Sequence, residues 1–168
     1  VFEGSRVFLV EVQALTVPAK SSLSRVFSDR VEPARVSRIA AVLEKRIGLT
    51  FSDQDIYVNV AGGIRLRESA SDLALAVALY SARTGLLPSE SACYVGEISL
   101  AGEIRPVKKA ALRLKMAATL GLPKIYLPEN RDAETEQSEQ ASIAQSVVAN
   151  LKEVIVRAFG KPRETDKR

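Results

Sequence analysis

The amino-acid sequence predicts an α/β fold with helices packed on a mixed sheet. Segments in which apolar and polar residues alternate, as in half-buried strands, are interspersed with segments of helical periodicity. The composition agrees, because 46% of the residues are hydrophobic but only 5% are aromatic, which favours a core of aliphatic side chains. A chain of 168 residues with this hydrophobicity suits a single domain, which we predict to span residues 1–160.

Three strands are predicted in the first half of the chain. Residues 6–15 begin as an apolar run and then alternate, so they predict a half-buried strand. A weaker strand at residues 23–27 is expected to pair back on the first. Residues 55–60 alternate again and end at Gly62 and Gly63, which predicts a strand followed by a flexible turn.

A helix is predicted between the second and third strands. Apolar residues recur on one face of it, Pro33 suits the first helical position and Gly48 suits the exit. The remaining surface is expected to be a solvated face that carries Arg35, Arg38, Glu44, Lys45 and Arg46.

The most apolar segment of the chain, residues 68–85, predicts a central helix. No polar side chain interrupts residues 73–79, so the helix should be enclosed on most sides. Ser71 or a neighbour can cap its start, Asp72 suits the first turn, and Gly85 supplies the left-handed residue that ends a helix.

The second half of the chain continues the alternation of strands and helices. In order, we predict a strand at residues 92–97, a bent ribbon or hairpin at 96–107, a helix from 108 to about 121, a strand at 125–127, a polar loop at 129–140, a terminal helix carrying apolar residues from 143 to 159, and a disordered tail at 161–168.

The composition excludes several classes of function. The chain has no histidine, which removes the commonest general base and metal ligand. The single cysteine, Cys93, lies in an apolar run and is expected to be a buried thiol, as suits a reducing cytoplasm. The chain contains no run of about 18 apolar residues, so no membrane span is predicted. The start lacks an initiator methionine, so we expect a fragment of a longer protein.

No nucleotide-binding motif is present, since the chain contains neither a P-loop nor a dinucleotide fingerprint. The remaining route to nucleophilic catalysis is a serine activated by a neutral lysine, and Ser69 and Ser71 stand at a helix start where such a serine belongs. A net charge of +4 and a pI near 9.3 make nucleic acid or another polyanion a reasonable partner.

Two motifs resemble the proteolytic domain of Lon. They are Ala-Leu-x-Ser-Ala-x-Thr-Gly at residues 78–85 and Gly-Glu-Ile-Ser-Leu-Ala-Gly-Glu-Ile-Arg-Pro at residues 96–106, followed by Ile-Tyr-Leu-Pro-Glu-Asn at 125–130. The resemblance implies the fold of ribosomal protein S5 domain 2. It also implies an empty site, because Ala70 occupies the position of the Lon serine and Ala111 that of the catalytic lysine.

A closer resemblance covers about residues 3–130. Leu-Val-Glu-Val-Gln-Ala-Leu at 9–15, Ala-Val-Leu-Glu-Lys-Arg at 41–46 and the segment 53–63 resemble the carboxy-terminal domain of the RadA/Sms family of bacterial DNA-repair proteins. In that family a zinc finger and a RecA-like ATPase precede a Lon-like domain without peptidase function, and hexameric rings drive branch migration in recombination. The resemblance therefore implies DNA, a second copy of the chain and recombination proteins such as RecA as partners. It places ATP, Mg and Zn in preceding domains, with no cofactor in this chain.

Exposed cations are the candidate DNA contacts, because Arg and Lys neutralise phosphates without reading sequence. The candidates are Arg65, Arg67, Arg105, Lys108, Lys109 and Arg113, with Arg38 and Arg46 as further candidates. Two alternatives stay open at this point. One is an active Lon-type peptidase with a displaced dyad, in which Ser69 or Ser71 works with Lys108 or Lys109. The other is a scaffold for oligomerisation, in which basic charge meets the acidic 129–139 loop of a neighbouring subunit.

Overall fold

A computed structural model of the chain describes residues 1–4, 6–20, 24–129 and 143–160. The strands are β1 (Phe2–Glu3), β2 (Arg6–Val7), β3 (Val12–Pro18), β4 (Val26–Ser28), β5 (Gln54–Val60), β6 (Cys93–Tyr94), β7 (Glu97–Ile98), β8 (Ile104–Arg105), β9 (Lys124–Leu127) and β10 (Ala144–Val147). The α-helices are α1 (Pro33–Ile47), α2 (Asp72–Thr84), α3 (Ala110–Thr119) and α4 (Leu151–Phe159). The described residues thus form an α/β structure with both parallel and antiparallel strand pairs, as predicted.

Of the two three-stranded sheets, the one with the longer strands has the order β3-β5-β4, with β5 antiparallel to β3 and parallel to β4. The predicted strands at residues 6–15 and 55–60 are confirmed in type, although β3 begins and ends later than predicted. The prediction for residues 23–27 is wrong in its pairing, because β4 joins β5 and not the first strand. Alternation shows which face of a strand is buried but does not identify the neighbouring strand.

The two long helices begin and end where the sequence predicts. Pro33 is the first residue of α1, and Gly48 follows it in the left-handed region with φ 81°. A short 3₁₀ turn at Ser69–Ser71 leads into α2, which Gly85 ends with φ 69°. Most of α2 is buried, and its contacts lie against β3 and α1. It is therefore the enclosed central helix that its apolar sequence predicts.

The second half of the chain confirms the hairpin but corrects the terminal helix. Strands β7 and β8 pair antiparallel around the turn that ends at Gly102. The predicted helix over residues 143–159 is wrong in nearly its first half, because β10 runs parallel to β9 and only α4 is helical. Asn150 starts that helix, since its side-chain oxygen accepts a hydrogen bond from the Glu153 amide at 3.0 Å. Most of the predicted 129–140 loop and the predicted tail at 161–168 lie outside the described residues.

Candidate functional site

Alanines occupy both positions that the Lon resemblance assigns to catalysis, and their elements pack together. Ala70 lies in the 3₁₀ turn before α2 and is buried in an apolar cluster with Ala110 and Leu114 of α3. Ala111 is half-buried in the same helix. The turn is fixed to the segment between β6 and β7 by the Gly96 amide, which donates to the Ala70 carbonyl at 2.8 Å. A methyl group can neither attack a carbonyl nor accept a proton, so this position has no nucleophile.

The serines on either side of Ala70 bond to groups other than lysine. The Ser69 hydroxyl donates to Glu97 Oε2 at 2.5 Å. The Ser71 hydroxyl donates to the Glu68 carbonyl at 2.9 Å and accepts from Arg35 Nη2 at 3.0 Å. Lys108 and Lys109, the bases of the displaced-dyad alternative, are exposed, whereas a neutral lysine requires burial. The geometry thus does not bring the displaced dyad together.

A buried carboxylate at the start of α2 corrects the prediction that α1 carries only a solvated charged face. Asp72 is 0% exposed, and its two oxygens accept hydrogen bonds from Arg35 Nε at 2.6 Å and Arg38 Nη2 at 3.0 Å. Arg35 also donates to the carbonyls of Leu66 and Glu68, both at 2.8 Å. These bonds fix the segment before α2 to α1.

The spacing of the two arginines could have indicated this network in the sequence. Arg35 and Arg38 are three residues apart, which places them on one side of α1. Asp72 stands at the start of the most apolar helix, where an acidic side chain needs a cationic partner if it is buried.

A second buried ion pair corrects the expectation for Arg113. Its side chain is 8% exposed and donates through both Nη atoms to the Glu68 carboxylate at 2.9 Å each. The guanidinium also lies 4.6 Å from the centroid of the Phe2 ring, and the Phe2 amide donates to Glu68 Oε1 at 3.0 Å. The donors of Arg113 are therefore occupied within the fold, unlike those of an exposed phosphate contact.

This pair also determines how Glu68 titrates. Burial would raise the pKa of the Glu68 carboxyl, but the hydrogen bonds and charge of Arg113 outweigh it, so the pKa is lowered. Because the folded-state pKa is lowered, the ionised pair stabilises the fold at pH values above the unfolded-state pKa of about 4.3. This stabilisation is lost as the pH falls through the folded-state pKa.

We therefore expect the stability difference between the wild type and Glu68→Gln to be largest near neutral pH and to shrink on acidification. Urea unfolding at pH 7 and at pH values below about 4.5 measures that difference. Asp29→Asn, which alters an exposed pair with Arg30, serves as the control. A Glu68→Gln difference that did not change with pH would contradict the assigned pair.

Two predicted DNA contacts lie next to each other on an open cleft. Arg65 and Arg67 are exposed on either side of buried Leu66, as their alternation predicts. They line the cleft together with Arg30 and Arg35, at the start of α1. Within the described part of the chain neither Arg65 nor Arg67 forms an ion pair, so their guanidinium groups face solvent.

The other predicted contacts lie at and before α3. Arg105, Lys108 and Lys109 are exposed, and no carboxylate within the described ranges pairs with them. Lys109 has φ 56° and delays the start of α3 by two residues relative to the prediction. Its ammonium lies 4.8 Å from the centroid of the Phe2 ring.

The further candidates, Arg38 and Arg46, are engaged within the fold. Arg38 binds Asp72 and the Ile98 carbonyl, while Arg46 donates to the Leu100 carbonyl at 3.2 Å.

Neither a metal centre nor a reactive thiol is evident in the described ranges. No group of three or more acidic, cysteine or histidine residues there is placed to hold a metal ion. Cys93 is half-buried, and burial raises the pKa of its thiol, so the neutral form is favoured. No helix of the described residues is both long and apolar enough to cross a bilayer.

The fold and the site define an α/β domain with exposed cations beside a turn that holds alanine. The chain belongs to the family described as subunit ChlI of Mg-chelatase, whose family model matches residues 11–131. Among individual proteins, it is similar to the DNA repair protein RadA of Treponema pallidum, with 57% identity over 163 residues that cover 97% of this chain and 35% of the relative.

Further relatives carry the same name. The DNA repair protein RadA of Bacillus subtilis is 38% identical over 94% of this chain and 34% of its own length. The RadA of Streptococcus pneumoniae is 44% identical over 76% of this chain and 30% of its own length. These matches confirm the predicted kinship with proteins named RadA. The chain spans about a third of the length of these curated relatives.

Proposed function

We propose that this chain is a non-catalytic, Lon-like domain of a RadA-type DNA-repair protein, with the fold of ribosomal protein S5 domain 2. Its role is to bind DNA and to contribute to a hexameric ring. The whole protein is then an ATPase of recombination and branch migration in the cytoplasm. ATP, Mg and Zn belong to other parts of that protein, and its partners include DNA, further copies of itself and recombination proteins such as RecA.

The observation that carries the proposal is the contrast between buried and exposed cations around the alanine turn. The buried arginines, Arg35 and Arg113, are bound to carboxylates. Arg65, Arg67 and Lys108 are exposed without a carboxylate partner among the described residues. Unpaired cations attract polyanions, and phosphate neutralisation supplies most of the affinity of sequence-independent DNA binding.

The same region supports the proposed lack of a peptidase role. The turn that would carry a nucleophile holds Ala70 against the apolar side of α3, while the flanking serines bond to Glu97 and to the backbone. The relatives named DNA repair protein RadA add independent support for a role in DNA repair.

The proposal is tested by measuring DNA affinity across a range of salt concentrations and molecular mass by light scattering with and without DNA. We expect affinity that falls linearly with salt on logarithmic axes, with a slope of about −0.9 for each phosphate contacted in duplex DNA. A chain that binds no DNA even at low salt would overturn the DNA-binding role. A hexamer whose mass is indifferent to DNA would favour a scaffold for assembly.

A further inference from the structure

The side of the β3-β5-β4 sheet that faces away from α2 carries an ordered arrangement of side chains, which we call the outer face. Its central row consists of Leu15, Tyr57 and Phe27, which are paired in register across the three strands. They remain 56%, 38% and 43% exposed, respectively. The next row is formed by Gln13 and Asn59, whose amides hydrogen-bond to each other at 3.0 Å.

The aromatic pair does not offer a free platform to a nucleobase. The rings of Phe27 and Tyr57 stack on each other, with centroids 4.7 Å apart and planes inclined by 11°. The guanidinium carbon of Arg25 lies 5.4 Å from the centroid of the Phe27 ring. The two rings thus cover one face of each other, and the exposed part of the central row is largely aliphatic and aromatic. Such a surface suits an apolar protein partner with a polar rim.

The two ends of the outer face have opposite charge. At one end Glu11 is exposed and accepts a hydrogen bond from Gln13 Nε2 at 2.8 Å. At the other end Arg25 pairs with the buried Asp55 at 2.5 Å, and Lys20 is close by. The Arg25 hydrogen bond holds the pKa of Asp55 below its usual value, and the charge of Lys20 contributes. Asp53, just before β5 at the same end, is paired with Arg83 at 3.7 Å. With three cations and two carboxylates, this end carries a net positive charge.

We propose that the outer face binds the outer face of a second copy of this chain, around a two-fold axis that runs approximately across the strands. This symmetry makes the facing strands antiparallel and places the central row on its equivalent, with Leu15 near Leu15 of the second copy. It also brings the Glu11 end of each copy over the Arg25 and Lys20 end of the other. The face is therefore self-complementary in both apolar surface and charge.

This inference does not rest on the proposed function, because a closed ring of six needs two different surfaces on each subunit, whereas a two-fold contact uses one. The three apolar side chains offer far less than the ~800 Å² per partner of a stable complex. We therefore expect a weak monomer–dimer equilibrium, with a dissociation constant in the micromolar range or above.

The decisive experiment uses two variants of opposite charge, Leu15→Lys and Leu15→Glu, studied by sedimentation over micromolar to millimolar protein without DNA. Each variant alone should dimerise about tenfold more weakly than wild type or worse, because like charges then meet across the axis. An equimolar mixture should regain dimers, since the ammonium introduced in one copy would then face the carboxylate introduced in the other.

Glu11→Lys should also weaken the dimer. An equimolar mixture of this variant with wild type should dimerise more weakly than wild type alone. Leu87→Lys, at a side chain 82% exposed outside the outer face, is the matched control and should leave the equilibrium unchanged. Far-UV circular dichroism checks that each variant folds. A wild type that stays monomeric at millimolar concentration would overturn the proposal. Unaltered dimerisation of both Leu15 variants, or no recovery on mixing them, would overturn it as well.

Discussion

Replacing Asp72 by Asn is expected to lower the free energy of unfolding by about 3 to 5 kcal/mol, the cost of breaking a buried ion pair by removing one partner. The carboxylate is fully buried and accepts from Arg35, Arg38 and the Ile98 amide. Asn keeps the size of the side chain but removes its charge. Arg35, whose side chain is only 12% exposed, is then left without a counter-charge.

Urea unfolding measures this difference, and Asp29→Asn provides a matched control. Asp29 pairs with Arg30 at 3.1 Å, but its side chain is 70% exposed, so its loss should cost at most about 1 kcal/mol. Equal stabilities of the two variants would show that the Asp72 network does not stabilise the chain. Arg38→Gln should cost less than Asp72→Asn, because the Arg38 side chain is 36% exposed and water can replace part of its bonding.

Converting Lys108 and Lys109 to Glu is expected to weaken DNA binding about tenfold or more and to flatten its salt dependence. If each lysine neutralises one phosphate of a duplex, losing both reduces the slope of log affinity against log salt by about 1.8. The same loss is expected for Arg65→Glu with Arg67→Glu. Fluorescence anisotropy of a labelled duplex at several salt concentrations measures both quantities.

The control must remove the same charge elsewhere. Lys45 and Lys152 are exposed on α1 and α4, so Lys45→Glu with Lys152→Glu changes the net charge equally. Because Lys109 lies over the Phe2 ring, the unfolding free energy of its variant is measured first. If the control pair weakens binding as much as the test pairs, the effect is one of net charge and the assigned residues are wrong. Unchanged affinity of a test pair would remove it from the DNA surface.

Local pattern was sufficient for the elements whose ends have strong chemical signals. Pro33 begins α1, Gly48 ends it, and Gly85 ends α2, because proline fixes φ and glycine accepts the left-handed region. The start of α3 was not predictable in this way, since Lys109 adopts a positive φ that its residue type disfavours.

Strand β10 shows where pattern failed. Ile143 and Val147, at the two ends of this segment, are four residues apart, so local spacing alone favours a helix there. The parallel partner β9 decides the strand instead, and a distant partner leaves no mark on local periodicity.

For the candidate site, the sequence by itself determined which residues lie at the alanine turn and which cations are available. Counting from the Lon-like motifs assigns Ala70 and Ala111 to the positions of the serine and the lysine. Arg65 and Arg67 alternate with a buried leucine. Only the tertiary structure decided which cations are committed inside the fold: Arg35 and Arg38 bind Asp72, and Arg113 binds Glu68. The reason is physical, because each of those pairs joins residues that are distant in the chain. Burial and pairing depend on how helices and turns meet in space, whereas residue type and spacing belong to the chain alone.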